Sequence, residues 1–442
     1  MPVAAEEVAL GRLSLLPAPA NNVANCNSLP FTQDALATDG ARQCAIWVSG
    51  PRRAPLIAER ELPDGPWSAP VDLQAVPGTS FPLPTERDPH NSYAIGIDAL
   101  GRVHVAGNLH NRPLAYMRSA PGDLGEWSAE TMIGSEEKSV TYPTFVRLPD
   151  GALLFFYRDG RSGYGDVYLN RLPPHGEGWE RLGMLVEGRS SGESPYLNHV
   201  AVSATGALHV SGCFRARRAS AAWNRDVWHA RSEDGGASWR SAAGERLALP
   251  LSHGSVPLAV PTAPSGSGLV NQTGMDVDRD GNPHIAYFRY DERGATQIAH
   301  AWHDGAAWRT RDVTALTHRM ETDTPIVDAS VARPAFACLD DGEVWAIFRA
   351  GHDGYGGSAV CARCTPGEEP REATIYAGDL GTWEPSLDTA ALRGRNELHL
   401  LLTAAPPYAL DDEEAPEAGW TEQPIGVLTL AGDDLSRATA LR

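Results

Sequence analysis

The feature that most constrains this 442-residue chain is a turn that keeps returning. A short segment ending in Gly, often Asp-Gly, precedes an alternating run of strand-forming residues. The copies are TDGARQCAIWV at 38–48, DALGRVHVAG at 98–107, PDGALLFFYR at 149–158, ATGALHVSGCF at 204–214, RDGNPHIAYF at 279–288, DDGEVWAIF at 340–348 and LRGRNELHLLL at 392–402. Their glycines are Gly40, Gly101, Gly151, Gly206, Gly281, Gly342 and Gly394, seven copies at intervals between 50 and 75 residues. Gly before a run with period-two hydrophobicity marks a hairpin. A strand-rich unit of this length cannot bury both of its faces alone, so the copies must stack on one another.

A second element recurs out of phase with the first. Gly followed closely by Trp appears at Trp67, Trp127, Trp179, Trp239, Trp308, Trp383 and Trp420. The clearest copy, SEDGGASW at 232–239, fits the Asp-box or BNR pattern S-x-D-x-G-x-x-W. GDLGEW and HDGAAW are degenerate versions. In that motif the Ser and Asp side chains satisfy a tight turn and the Trp packs between sheets. The two phases together predict an all-β fold, a seven-bladed β-propeller with four-stranded antiparallel blades. It should be a single catalytic domain over 1–442, with N- and C-terminal strands sharing the closing blade. A stacked pair of β-sandwiches would not need a repeating Gly–Trp phase.

Composition bounds the function. The 44 Gly and 34 Pro fit many turns and few long helices. A net charge of −19 argues against nucleic acid or a membrane surface as partner, and no apolar run reaches transmembrane length. It leaves room for an anionic small substrate, because local arginines can dominate a pocket. The N-terminal MPVAAEEVALGRLSLLPAPA lacks a basic segment ahead of its apolar residues, so a cytoplasmic location is expected. The six cysteines are sparse, and only Cys361 and Cys364 form a C-x-x-C. They read as reduced thiols.

Chemistry gathers at the ends of two hairpins. In HNSYAIGIDALGRVHVAGNLHNRP, 90–113, a turn near Leu100 places Ile95 opposite Val105 and Ile97 opposite Val103. The same register sets Ser92 against Asn108 and His90 against His110, two imidazoles at one open end. In the next unit, a turn at Asp150 places Tyr142 opposite Arg158. Adjacent blades thus offer His, His, Tyr and Arg to one mouth. That set suits abstraction of a proton alpha to a carboxylate: Arg neutralises the carboxylate, and Tyr or His moves protons. No cofactor is required. Taken singly, each residue has an ordinary structural role, such as a strand-end cap, a buried phenol, or an Arg paired with Asp159 or Asp166. Hydrolysis of glycosides ordinarily needs a pair of carboxylates, and the strand neighbours of Tyr142 and Arg158 offer no obvious acid except Asp159.

The segments HNSYAIGID, GRVHVAGNLHNRPLAYMRS, SVTYPTFVRLPDGALLFFYRDGRSG, NRDVWHARSEDGGASW and WEPSLD resemble BNR-repeat seven-bladed β-propeller polysaccharide lyases of the ulvan lyase and rhamnose–glucuronate lyase type. The resemblance covers most of the chain and is most specific between 88 and 171. It implies β-elimination at C4 of a uronic acid within an anionic, uronate-containing glycan. It places the catalytic groups on His90, His110, Tyr142 and Arg158, with one His and Tyr142 sharing base and acid work and Arg158 holding the carboxylate. Which His is the base stays open. A related group of rhamnose-releasing hydrolases uses a His early in the chain, and this sequence has none before His90.

Substrate-binding candidates are Asn91, Tyr164 and, from GCFRARRAS, Arg215 ahead of Arg217 and Arg218. Family members that carry structural Zn2+ or Ca2+ make His199 and Cys213 candidate ligands, set opposite each other by a turn at Gly206, with His209 as another option; two candidates do not complete a tetrahedral site. His300 and His303 lie on a strand pattern and read as structural. The competing readings are a rhamnosidase or sialidase-like hydrolase, the latter requiring three convergent arginines and a Tyr–Glu pair, and a carbohydrate-binding propeller without turnover.

Overall fold

The computed structural model describes residues 10–22, 26–29, 34–50, 52–81, 88–216, 220–323, 330–350, 357–405 and 422–440. Their strands form seven separate sheets, followed in order along the chain. Each of the recurrent turns through Gly342 joins the first two strands of a sheet, and its Gly takes a positive φ, +75° at Gly101 and +85° at Gly281. A side chain resists that conformation. The seventh copy departs from the pattern. Gly394 lies inside the short helix Thr389–Arg395, capped by the Asp388 carboxylate, and Asn396 at φ +54° makes the left-handed turn into Glu397–Thr403.

The chain is an all-β propeller, and each sheet is buried by its neighbours. One apolar cluster joins the first three sheets, through residues such as Ile46, Ile95 and Phe155. Others join the third to the fourth, the fourth to the fifth, the fifth to the sixth and the sixth to the seventh. A last cluster, with Trp47, Leu401 and Val427, joins the seventh back to the first. The ring closes covalently as well. Arg12–Leu15 is the outer strand of the final sheet, pairing antiparallel with Ile425–Ala431, Arg12 opposite Thr429 and Leu15 opposite Gly426.

Four strands per blade holds for five of the sheets. The third gains His110–Arg112 as a fifth strand, and the fourth is extended by short pieces to seven. The Asp box at 232–239 behaves as its motif requires. Ser232 Oγ accepts from Gly236 N at 2.8 Å, and Asp234 Oδ1 accepts from Ser238 N at 2.8 Å. Trp239 is fully buried, donating from Nε1 to Gly236 O. Trp420 and the Asp411–Glu417 stretch lie outside the described residues. Cys361 and Cys364 point into different clusters, between the sixth and seventh sheets and between the fifth and sixth. Burial pushes both thiols up to about 12, so this C-x-x-C is two core residues.

An axial cavity of about 560 Å³ is lined by residues of all seven inner strands, among them Ile95, Phe145, Ala201, Met275, Phe336 and Leu387. It reaches the turn end at Pro149, Ala204 and Asp340. None of His90, His110, Tyr142 or Arg158 lines it.

One position, in the second strand of the sheet, repeatedly carries a buried imidazole. His104, His209, His284 and His399 are each 0–1% exposed. His209 Nδ1 lies 3.1 Å from His229 Nε2, and His284 Nδ1 lies 2.8 Å from His300 Nε2. Burial drives the pKa of His209 down to about 3 and those of His229 and His300 well below the ordinary 6.5. These rings are neutral when folded and free to protonate when unfolded. Their stabilisation is therefore complete above about pH 6.5 and is lost as pH falls, by about 1.4 kcal/mol per pH unit for each such His. The denaturant midpoint should drop steeply between about pH 6.5 and pH 5; a flat profile there would contradict these assignments.

Candidate active site

The chemical groups collect at the rim opposite the turns, where register is broken. In the second sheet the ladder pairs Ile95 with Val105 and Ala94 with Ala106, as the alternation predicts. Asn108 N still donates to Ser92 O, but Asn108 sits at φ +56° and turns the chain away. His110–Arg112 then joins the third sheet, with His110 opposite Thr141. His110 still arrives beside His90. Their rings stack with centroids 3.9 Å apart and planes 22° apart.

Asp88 holds both rings. His90 Nδ1 lies 2.6 Å from Asp88 Oδ1, and His110 Nδ1 is hydrogen-bonded to Asp88 Oδ2. Burial acts to raise the Asp88 pKa, but the hydrogen bonds from His110 and His90 outweigh it and hold the carboxyl well below its usual range. Burial dominates at His90 and lowers it to about 4. His90 Nε2 is 3.2 Å from the Tyr142 hydroxyl.

Tyr142 reaches this position through a bulge. Arg158 pairs with Thr141, Thr144 pairs with Phe156, and the register slips between them, so Tyr142 does not oppose Arg158 as the simple hairpin requires. Tyr142 takes φ +61°, a left-handed conformation that costs a bulky residue on the order of 1 kcal/mol or more. The bulge lays the ring against the guanidinium instead, with Arg158 Cζ 4.8 Å from its centroid. A second phenol continues the stack. Arg158 lies 5.2 Å from the Tyr196 ring and Arg215 lies 4.4 Å from it on the same measure.

The electrostatics separate the two phenols. Burial pushes Tyr142 up to about 12, against the pull of Arg158. At Tyr196 burial also acts upward, but Arg215 and Arg158 outweigh it and bring the phenol below 10. Arg158 is 3% exposed, and among the described residues it donates to neutral acceptors, Asn111 Oδ1 at 3.3 Å and Thr141 Oγ1 at 3.2 Å. Its Nε and Nη1 have no hydrogen-bond partner among the described residues.

Residues 42–316 match the model of the BNR repeat-containing family. The chain belongs to that family. An ulvan lyase of Nonlabens ulvanivorans is 22% identical over 324 residues, 64% of this chain and 67% of that protein. Among solved structures, a polysaccharide lyase described as a new family, the PL25 ulvan lyase, superposes with a TM-score of 0.65 at 16% identity, covering 98% of this chain and all of that one. The polysaccharide lyase Uly1 superposes with a TM-score of 0.61 at 13% identity, over 96% of this chain and all of the other. At these identities the superpositions establish a shared fold.

Of the remaining sequence candidates in this BNR-repeat chain, Tyr164 opens a strand of the third sheet opposite Arg161, exposed at the same rim. Asn91 is buried, and its backbone N–H closes a turn on Asp88 O at 3.0 Å. Arg215 is buried among neutral acceptors: Asn224 Oδ1 at 2.7 Å, Asn271 Oδ1 at 2.5 Å and the Tyr196 hydroxyl at 3.2 Å. Its geometry is that of a support for Tyr196. Arg217 and Arg218 lie outside the described residues.

The His199–Cys213 pair fails. The ladder sets Cys213 opposite Tyr196, and His199 falls in a break before Ala201–Val202, its N–H donating to Thr273 O. Burial in an apolar cluster pushes the Cys213 thiol up to about 12. His209 is bonded to His229 instead. The register therefore does not set His199 opposite Cys213 as the simple hairpin requires. Among the described residues, Asp88, His90 and His110 are the one group of three with ligating atoms close together, and hydrogen bonds already join them.

Sequence reasoning missed Asp88 and Tyr196. Asp88-Pro-His90 carried a signal, because an Asp two residues before a His can fold back onto its ring. Tyr196 had none, since Arg158 comes from the neighbouring sheet and Arg215 faces it across a hairpin with an interrupted register. Replacing Arg215 by Gln removes one of the charges that favour the phenolate. The ionisation of Tyr196, followed by ultraviolet titration, should move to higher pH in that variant; an unchanged titration would show that Arg215 does not set it.

Proposed function

We propose that this chain is a polysaccharide lyase that cleaves at C4 of a uronic acid by β-elimination, leaving an unsaturated uronate. The observation that carries the reading is Arg158. Among the described residues it is a buried guanidinium whose hydrogen-bond partners are neutral and whose Nε and Nη1 have none, between two phenols and beside two imidazoles. An unpaired buried cation is costly and calls for an anion. Arg102, similarly buried, shows the alternative, since Asp98 and Glu177 neutralise it.

A substrate carboxylate on Arg158 would spread the charge that develops when the neighbouring C5–H bond is broken. A neutral imidazole takes that proton, and His110, with a side chain 36% exposed, is the more accessible one. The electron pair forms the C4–C5 double bond as the C4–O4 bond breaks. Tyr142, held protonated at neutral pH, donates to the departing oxygen, and the proton taken by the base restores it. No oxidant or water is consumed.

The neighbours support the substrate class. The Nonlabens relative is an ulvan lyase, and a PL25 ulvan lyase has been solved bound to -[GlcA(1-4)Rha3S]-, an alternating uronate and sulfated rhamnose chain. A rhamnose–glucuronate linkage is accordingly the proposed target.

Incubation with ulvan or rhamnosyl-glucuronate oligosaccharides should give rising ultraviolet absorbance and products carrying an unsaturated uronate by mass spectrometry. Saturated products, or bound but unaltered glycan, would overturn the proposal. Tyr142→Phe should lower the rate on the order of 10²-fold or more. Near-normal turnover by that variant would remove Tyr142 from the mechanism.

A further inference from the structure

We propose that Asp88 is the positioning residue of this site, its one carboxylate accepting the Nδ1–H of both His90 and His110 and so fixing both rings in the tautomer whose Nε2 is a base. The argument begins with donors and acceptors. Both Nδ1 atoms lie within hydrogen-bonding distance of Asp88, one on each oxygen. An ionised carboxylate only accepts, so each Nδ1 carries a proton. In a neutral ring that leaves the lone pair at Nε2. For His90 that lone pair meets the Tyr142 hydroxyl, which therefore donates to it. For His110 it lies on the side of the ring away from Asp88, with no hydrogen-bond partner among the described residues.

The placement is over-determined. His90 N also donates to Asp88 Oδ1 at 2.9 Å, and Asn91 N donates to Asp88 O at 3.0 Å. Asp88 is thus tied to the segment that carries His90, while its second oxygen reaches the strand that carries His110. The stacked rings, 3.9 Å apart, would repel if both became imidazolium ions, so only one can readily carry an added proton. The shared carboxylate stabilises that imidazolium whichever ring takes the proton. Arg158 faces the same cluster and opposes an imidazolium there, which makes the carboxylate more necessary.

An amide cannot replace it. Asn offers one accepting oxygen and one donating nitrogen, so in Asp88→Asn only one ring keeps its Nδ1 proton and the other must move its proton to Nε2. The kinetic arm of the test rests on the lyase reading, and the spectroscopic arm does not. In wild type near neutral pH, the ring nitrogen shifts of His90 and His110 should both report Nδ1–H. Asp88→Asn should switch one of them to Nε2–H. It should also lower kcat on the order of 10²-fold while KM stays within about threefold, because Arg158 is untouched. Asp88→Glu keeps an acceptor-only group and should retain both Nδ1–H tautomers.

Either ring in the Nε2–H form in wild type would overturn the proposal. So would Asp88→Asn with kcat within about twofold of wild type, or a divalent cation whose removal shifts both imidazoles, since a metal would take the place of the Nδ1 protons. If wild type yields no unsaturated product, the lyase reading fails, and the nitrogen shifts still decide the role of Asp88.

Discussion

The rest of this structure depends on apolar burial between neighbouring sheets. No sheet here has a core of its own. Trp47, Phe155, Trp239 and Trp345 are buried because a second sheet covers them. A ring built this way has no natural end, so the chain must supply a closure. The pairing of Arg12–Leu15 with Ile425–Ala431 does so, and Asp388 adds a polar tie by accepting from Thr38 Oγ1 at 2.6 Å and Gln43 Nε2 at 2.8 Å. These contacts convert a linear stack into a rigid frame.

The candidate site sits where this regularity is broken. The turn end repeats almost without variation, because a tight hairpin leaves little choice of backbone. The opposite rim carries the left-handed residues Asn108, Asn111, Tyr142, Asp226 and Gln272. Each redirects a strand end that would otherwise continue its ladder. The bulge at Tyr142 and the crossing of His110–Arg112 into the next sheet belong to this set. They bring six side chains, Asp88, His90, His110, Tyr142, Arg158 and Tyr196, into one cluster of stacked rings, charges and hydrogen bonds.

Much of this was legible in the sequence, and the reasons are physical. The repeat was visible because Gly at a positive-φ turn and period-two burial leave a local imprint. His90 and His110 were brought together by the simple hairpin register, although His110 in fact pairs with Thr141 of the next sheet. Tyr142 and Arg158 were joined by the same arithmetic, and the actual slip of one residue still left them in contact. Where an argument needed register across a break, it failed, as at His199 and Cys213, because a bulge or strand interruption writes no reliable signal. Tyr196 was invisible for a different reason: packing of the third sheet on the fourth brings it Arg158, and Arg215 faces it within the fourth sheet across a hairpin whose register is interrupted.

His110 rides on a strand hydrogen-bonded into the third sheet, while His90 and Asp88 precede the second. The imidazole pair therefore exists only when those two sheets are docked in their native orientation. A chain arrested with this seam open would hold nearly all of its secondary structure and yet lack the stacked pair. Recovery of that pair during refolding thus gauges the mating of two particular sheets, and a ligand bridging the two imidazoles would act as a clasp across the seam.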